Sequence, residues 1–282
     1  MKLYLKFIKI YLNFLSVVHP NYGGKIAIKI FQKVRIRKIK PKEEAFYQKA
    51  KAFLLENSTT KKEFKYYELG NPQGKVIFLV HGWDSNAGSL SRFAFELANK
   101  NYRVISLDLP AHAHSEGTHT NLFICKDALI SLINHIKPKE AFSIIGHSFG
   151  SAVAAYALAE LNYPINKIVL LSANNVMRII FDDYQKLIGF NDVIYHQVAK
   201  WVKNVIDEDL DSLVLSDKLK LINFNDLLII HDKFDKVIPF PSATEIKEAI
   251  PKTKVIPFEK IGHYRMLWND DVRKEVIQFI SQ

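Results

Sequence analysis

The stretch Phe142–Gly150, FSIIGHSFG, places a serine hydroxyl between two glycines directly after a short apolar run. The apolar start of this stretch is typical of a buried strand, and the alanine-rich segment Ser151–Leu161 that follows favours a helix. Ser148 therefore lies on a predicted strand-to-helix turn. Such a sharp turn brings neighbouring chain close, so the positions two before and two after the serine must be small, and Gly146 and Gly150 meet that need.

A helix that begins at Ser148 would point N–H groups without intrahelical partners, and the positive end of its dipole, at a developing oxyanion. The pentapeptide G-x-S-x-G alone is weak evidence, because average Gly and Ser usage produces it by chance in roughly one chain in ten of this length. A nucleophilic serine also needs a base, and the base needs a carboxylate that holds its tautomer. Where a nucleophilic serine lies on a strand-to-helix turn of this kind, the carboxylate and then the histidine follow it in the chain.

Three histidines follow Ser148: His196, His231 and His263. His263 comes shortly after the strand-like run at 253–258, so it lies on a loop at the end of a predicted strand. His231 closes an apolar run, which favours a structural position at a strand end, and His196 falls in an irregular region. We therefore predict that His263 is the base.

The carboxylate has two candidate positions in the segment HDKFDKVIP at 231–239. Asp232 immediately follows the strand, whereas Asp235 comes just before a Val-Ile-Pro sequence that would hold the chain as it enters a helix predicted at 242–250. We favour Asp235 as the acid that orients the histidine. In the alternative interpretation, both aspartates are ordinary loop acids beside two lysines.

Five segments, in this order, resemble motifs of the α/β-hydrolase superfamily: VIFLVHGW at 76–83, RVISLDLP at 103–110, GHSFG at 146–150, HDKFDKVIP at 231–239 and GHY at 262–264. The resemblance extends from near Lys62 to the C-terminus. It implies an α/β fold with a mostly parallel central sheet flanked by helices, and a small helical cap. Agreement in the order of the motifs is more specific than any single motif.

The resemblance also implies site residues and a chemistry that needs no cofactor. Ser148 would be the nucleophile, Asp235 the orienting acid and His263 the base. The oxyanion hole would consist of the backbone N–H groups of Trp83 and Phe149. Phe149 also fits on physical grounds, because the first N–H groups of a helix have no intrahelical acceptor.

Two loops depart from the family pattern. The loop after the second motif is AHAHS at 111–115, where Gly-x-Gly-x-Ser is common, so its backbone must either avoid positive φ or bear some strain. The loop at 84–89, DSNAGS, has one glycine fewer than the glycine-rich loops of some esterases. Neither departure removes a catalytic atom, but both affect the shape of the predicted pocket.

We divide the chain into an N-terminal basic amphipathic arm over residues 1–61 and a hydrolase domain over 62–282 with a helical cap at about 174–217. Five aromatic residues fall in the cap: Phe181, Tyr184, Phe190, Tyr195 and Trp201. They either face the nucleophile, which would favour an acyl chain or an aromatic group, or pack the cap on the sheet.

The arm begins with MKLYLKFIKIYLNFLSVVHP at 1–20, where apolar residues recur at helical spacing and lysines occupy another sector. Lysines interrupt it too often for a membrane span, and no A-x-A-like site marks a signal peptide. A basic run at 33–42 follows, in a chain of net charge +10. Either the arm binds an anionic membrane surface, or it folds back to cover the hydrolase core. Nucleic-acid binding is a weaker third interpretation, because no recognised nucleic-acid module accompanies the charge.

We predict a cytoplasmic serine hydrolase of carboxylic esters or thioesters, either free or peripheral on the inner face of the membrane, without a metal or cofactor. His112, His114 and His119 lack a ligand framework, and Cys125 is predicted to be a core thiol. Perhydrolysis and C–C bond hydrolysis use the same three residues and stay open. From another class, the alternative is a non-catalytic binding protein on the same fold. The oligomeric state stays open as well.

Overall fold

The structure is a computed structural model that describes residues 2–282, without the side chain of Lys2. Within these residues, eight strands form one sheet: β1 (Lys51–Glu56), β2 (Glu63–Gly70), β3 (Val76–Val80), β4 (Arg103–Leu107), β5 (Phe142–His147), β6 (Ile165–Leu171), β7 (Phe224–Asp232) and β8 (Lys254–Phe258). Their order is β1-β2-β4-β3-β5-β6-β7-β8. The pairs β1–β2 and β2–β4 are antiparallel, and the remaining pairs are parallel. The predicted mostly parallel sheet is confirmed.

The helices of the described chain are α1 (Lys2–Val18), α2 (Pro20–Phe31), α3 (Pro41–Lys49), α4 (Ser91–Asn99), α5 (Leu122–Ile136), α6 (Phe149–Ala159), α7 (Met177–Ile188), α8 (Asp192–Ile206), α9 (Leu215–Lys220), α10 (Pro241–Ala249) and α11 (Asp270–Ser281). Around the sheet, α4 packs with α3 and α11, while α6 packs with α5 and α9. The central strands are apolar along most of their length because helices cover the sheet, and every residue of β5 is buried.

The two antiparallel strands β1 and β2 have no counterpart in the sequence analysis. Five of the six residues of β1 are exposed, so β1 lacks the apolar run that marks the central strands. It is held by its backbone pairing with β2, in which Lys51 lies opposite Glu68 and Glu56 opposite Glu63. Such an edge strand depends on a partner strand more than on its own sequence pattern.

The chain divides into two compact units, Met1–Lys33 with Val176–Val214, and Val34–Asn175 with Leu215–Gln282. These bounds differ from the predicted arm at 1–61. Residues 34–61 belong to the second unit, because α3 buries Phe46 in its core and β1 extends its sheet. We call this second unit the hydrolase unit, because it contains most of the predicted hydrolase domain. The first 33 residues form a unit with the cap segment instead.

The cap and the start of the arm pack together as the helices α1, α2, α7 and α8. Phe181 of the cap stacks on Phe31 with ring centroids 4.6 Å apart, and the Tyr184 hydroxyl donates to the Ala27 carbonyl at 2.7 Å. Two placements are predicted for these aromatic residues, one facing the nucleophile and one packing on the sheet. In the structure, Phe181 and Tyr184 pack on the arm instead. No helix in residues 2–282 is long and apolar enough to cross a membrane.

Candidate active site

The turn at Ser148 has the conformation that its neighbours require. β5 ends at His147, α6 begins at Phe149, and Ser148 between them has φ +52° and ψ −120°. A positive φ is strained for a residue with a side chain and persists only where the surroundings impose it. A Cβ at Gly150 would lie 2.2 Å from the Val80 carbonyl oxygen, so only glycine allows α6 to approach β3 this closely.

The structure brings Ser148, His263 and Asp235 into one hydrogen-bonded chain. The Ser148 Oγ lies 2.9 Å from His263 Nε2, and His263 Nδ1 lies 2.7 Å from Asp235 Oδ2. Because a carboxylate can only accept, Nδ1 carries the proton and Nε2 is the acceptor for the serine hydroxyl. His263 is 5% exposed and follows β8 on a loop, as predicted.

Asp235 accepts four hydrogen bonds. Its Oδ1 receives the backbone N–H groups of Val237 at 2.8 Å and Ile238 at 3.1 Å, and its Oδ2 receives the Ser172 hydroxyl at 2.8 Å as well as His263. Burial alone raises the pKa of a carboxyl, but the His263 bond and charge and the two backbone bonds lower the pKa of Asp235 to about 2. Asp235 is therefore an anion at neutral pH.

Ser172 is a site residue that the sequence analysis missed. It directly follows β6, and its backbone has φ +48°. Its N–H donates to the Ile230 carbonyl at 2.9 Å, which ties it to β7 while its hydroxyl contacts Asp235. The available signal was a polar residue at the carboxyl end of a parallel strand, where the side chains of neighbouring strands meet.

The competing carboxylate, Asp232, has a different environment. It accepts the backbone N–H of Phe234 at 2.7 Å and that of Gly262, the residue before His263, at 2.5 Å. Burial raises its pKa, but these backbone bonds outweigh burial and leave the pKa below its ordinary value. Asp232 thus fastens the loop that carries His263, whereas Asp235 contacts the imidazole.

The other histidines near the site are structural. His231 is fully buried and donates from Nε2 to the Ile238 carbonyl at 2.9 Å. His147 donates to the His263 carbonyl at 3.1 Å, and burial together with the charge of His263 lowers its pKa to about 3. Burial also lowers the pKa of His81 to about 3. His147 and His81 therefore stay neutral and add no positive charge beside the base. His196 is exposed on α8.

The loop after β3 reaches the serine at Gly82. A Cβ at this position would lie 3.0 Å from His147 Nδ1 and 3.3 Å from Ser148 Cβ, which is tighter than an ordinary contact. The rings of Trp83 and Phe149, the two predicted oxyanion-hole residues, meet edge to face with centroids 5.0 Å apart. Phe149 directly follows Ser148 and Trp83 directly follows Gly82, so the backbones of both residues lie near the serine.

The loop at 111–115 bears the strain that its sequence implied. Ala111 has φ +68° and Ala113 has φ +40°, where the family often has glycine. Arg37 holds this loop, since its guanidinium donates to the carbonyls of Ala113 at 2.9 Å and Ser115 at 2.7 Å. Arg37 lies in the basic run at 33–42, so part of that run stabilises the hydrolase unit.

The histidine-rich segment of the same loop supports the backbone. The buried His112 donates to the Pro110 carbonyl at 3.0 Å and accepts the Asp84 N–H at 3.2 Å. Across residues 2–282, no group of three or more His, Cys, Asp or Glu side chains could hold a metal ion. Cys125 is fully buried, and burial raises its pKa to about 12, which makes it an unreactive core thiol.

Comparison with known proteins agrees with this architecture. A family described as alpha/beta hydrolase fold matches residues 75–204, a segment that contains the serine turn. The esterase of Pyrococcus furiosus superposes with a TM-score of 0.65 at 18% identity over 88% of this chain and 96% of its own. The chain therefore has the α/β-hydrolase fold.

Two further similarities extend the comparison. A structure described as a membrane phospholipase A and bacterial virulence factor superposes with a TM-score of 0.64 at 18% identity, over 100% of this chain and 98% of its own. The uncharacterised hydrolase YugF of Bacillus subtilis is 30% identical over 40% of this chain. That match spans 42% of YugF, less than half of its length.

Proposed function

We propose that this α/β-hydrolase is a serine hydrolase that cleaves a carboxylic ester or thioester through an acyl-enzyme. The observation that carries the proposal is the chain of hydrogen bonds from Ser148 Oγ to His263 Nε2 and from His263 Nδ1 to Asp235. A turn serine without a chemical role needs neither an imidazole nor a buried anion behind it. Three groups in this relation are the arrangement that activates a hydroxyl.

In the first half of the reaction, Ser148 Oγ attacks the carbonyl carbon while His263 Nε2 takes the hydroxyl proton. Asp235 is already an anion, so it stabilises the imidazolium that forms. The carbonyl oxygen becomes an oxyanion, for which the backbone N–H groups of Phe149 and Trp83 are the proposed donors. His263 then gives the proton to the leaving alcohol or thiol, and the acyl group stays on the serine.

In the second half, water attacks the acyl carbon and His263 accepts its proton. Collapse of the second tetrahedral intermediate releases the carboxylic acid and returns the proton to Ser148 Oγ. The same base serves both halves, because its Nε2 faces Ser148 Oγ, the oxygen that attacks in the first half and leaves in the second. Apart from the ester or thioester, the proposed reaction consumes only water.

The proposal is tested with a fluorophosphonate probe and a chain-length series of p-nitrophenyl esters, alongside an acyl-thioester. The probe should label the wild-type protein at Ser148, and Ser148→Ala should remain folded and lose at least about a thousandfold in turnover. Ser131→Ala is a matched control, because Ser131 lies on α5 and its hydroxyl bonds to Ser58 and to the Asp127 carbonyl rather than to a histidine. If the folded wild-type protein stays unlabelled while a control esterase reacts, the proposal fails.

A further inference from the structure

Helix α1 has two apolar faces. On one face Ile8, Leu12 and Leu15 are buried, with Leu12 fully inaccessible. On the other face large apolar side chains are 47% to 82% exposed within residues 3–18: Leu3, Tyr4, Phe7, Ile10, Tyr11, Phe14, Val17 and Val18. Scattered exposed apolar residues are ordinary, but a continuous row over the length of a helix marks an interaction surface. We call this row the outer face of α1.

The charge around the outer face is of one sign. Residues 1–42 contain 11 lysines and arginines and no acidic residue, while the whole chain has a net charge of +10. The other 240 residues are therefore close to neutral. At 100° per residue, Lys6 and Lys9 lie along one edge of the outer face, and both are exposed. Lys25 and Lys29 of α2 are exposed in the same unit.

We propose that the outer face of α1 binds in the interface of an anionic membrane, with its apolar side chains among the acyl chains and the nearby lysines at the headgroups. An amphipathic helix with large apolar residues on one face and lysines at its edge is suited to lie in the plane of the interface. Each basic residue near an anionic surface adds attraction. This inference concerns a surface remote in sequence from Ser148 and does not depend on the proposed reaction.

The charge decides between a membrane and a second copy of this chain. Two copies that met through their outer faces would bring two sets of lysines together without a single acid from residues 1–42 to pair with them. An anionic lipid surface supplies the opposite charge along the whole helix. The basic residues therefore favour lipid over self-association.

The buried face of α1 joins it to the cap helices. The Asn13 side chain donates to the Gly189 carbonyl at 3.1 Å and accepts the Asn191 N–H at 3.0 Å. The Asn191 amide donates to the Ser16 hydroxyl at 2.7 Å. A membrane-bound α1 would therefore carry α7 and α8 with it. Deleting α1 would also remove these contacts, so point substitutions on the outer face are the sharper test.

The test uses co-sedimentation of the full chain with vesicles of equal phosphatidylglycerol and phosphatidylcholine, and with vesicles of phosphatidylcholine alone. The wild-type protein should bind the anionic vesicles at low salt, and about 1 M salt should weaken binding because it shortens the Debye length to about 3 Å. Phe7→Ser with Phe14→Ser should weaken binding at least about tenfold. Lys6→Glu, Lys25→Glu and Lys29→Glu together should weaken it at least about a hundredfold.

Two control variants match these changes elsewhere on the surface. Leu187→Ser with Leu221→Ser removes two side chains that are 60% and 69% exposed. Lys75→Glu, Lys100→Glu and Lys139→Glu make the same change in net charge at three exposed lysines of the hydrolase unit. Both controls should bind anionic vesicles as the wild-type protein does, and so should Ser148→Ala, which separates this proposal from the proposed reaction.

Three results would overturn the proposal. The first is no wild-type binding to the anionic vesicles at low salt. The second is an equal loss in the two lysine triples, which would mean that net charge alone controls binding. The third is a lipid-free dimer in sedimentation velocity that Phe7→Ser with Phe14→Ser dissociates, which would assign the outer face to a second copy. Melting temperatures identify any variant that is misfolded, and the lysine triple changes only exposed side chains.

Discussion

Among the residues of the site, the two aspartates after β7 perform different tasks although they are three positions apart. Asp235 receives the imidazole of His263 and the hydroxyl of Ser172, so its charge acts on the base. Asp232 receives backbone N–H groups, including that of Gly262, so its charge acts on the position of the loop. Replacing either aspartate by asparagine keeps the shape of the side chain but removes its charge. At Asp235 this change should affect activity, and at Asp232 it should affect stability.

We expect Asp235→Asn to lower kcat by about 10³ to 10⁴, because an amide that donates to Nδ1 imposes the wrong tautomer on His263. Asp232→Asn should cost less than about tenfold in kcat but should lower the free energy of unfolding by about 1–3 kcal/mol, since one amide group would face a backbone donor. Ester hydrolysis and urea unfolding on both variants measure the two effects. The reversed pattern in kcat would assign the orienting acid to Asp232.

Among the elements, the pairing of α2 with α8 depends on two adjacent glycines. A Cβ at Gly24 would lie 2.4 Å from Gln197 Cβ and 3.2 Å from the backbone carbon of Gln197. A Cβ at Gly23 would lie 2.4 Å from Ile194 Cδ1, which is the far end of a flexible side chain. Gly23 and Gly24 are adjacent in the sequence but have different neighbours. The end of the Ile194 side chain beside Gly23 can move more easily than the backbone of Gln197 beside Gly24.

We expect Gly24→Ala to destabilise the protein by about 1–3 kcal/mol, because α2 and α8 must separate to admit the methyl group. Gly23→Ala should be close to neutral, since Ile194 can change rotamer and alanine in a helix gains about 1 kcal/mol over glycine. Thermal unfolding of the two variants, side by side, checks the difference. Equal melting temperatures would show that the helices are not in such close contact.

At the scale of the whole molecule, the protein buries several histidines in neutral form. Burial lowers the pKa of His81 and His147 to about 3, and burial also lowers the pKa of His112 and His231. Each ring accepts or donates hydrogen bonds to the backbone, for which the neutral imidazole is sufficient. The folded state therefore resists protonation at these positions.

This burial predicts a loss of stability in mild acid. Below about pH 6.5 the unfolded chain binds protons on these rings, whereas the folded protein keeps His81 and His147 neutral down to about pH 3. The free energy of unfolding should fall as pH falls through this range, by about 1.4 kcal/mol per pH unit for each such ring. Urea unfolding at several pH values between 7.5 and 4.5 measures the slope.

A substitution isolates one ring. His147→Gln keeps a donor for the His263 carbonyl. It should reduce the change in the free energy of unfolding per pH unit by the contribution of one histidine. His196→Gln is the matched control, because His196 is exposed on α8 and its surroundings change little on unfolding. A slope that is the same in wild type and His147→Gln would contradict the prediction.

The sequence by itself determined the central architecture and predicted three residues of the candidate site, Ser148, Asp235 and His263. Apolar runs predicted β5, β7 and β8 except for their ends, and the glycines around Ser148 predicted the turn, because strand burial and sharp turns depend on residues next to one another. Asp235 and His263 were found from their places on loops after strands. The structure puts both in the hydrogen-bonded chain with Ser148.

The tertiary structure alone decided which distant parts of the chain pack together. Ser172 and Arg37 act through contacts with residues 63 and 76 positions away, and no local pattern identifies such partners. The apolar spacing of α1 predicted an amphipathic helix, but only packing distinguished the face that contacts α7 and α8 from the outer face. Periodicity in the sequence indicates that one side of a helix is apolar. Which element packs against that side depends on the shapes and charges of the parts of the chain that the fold places next to it.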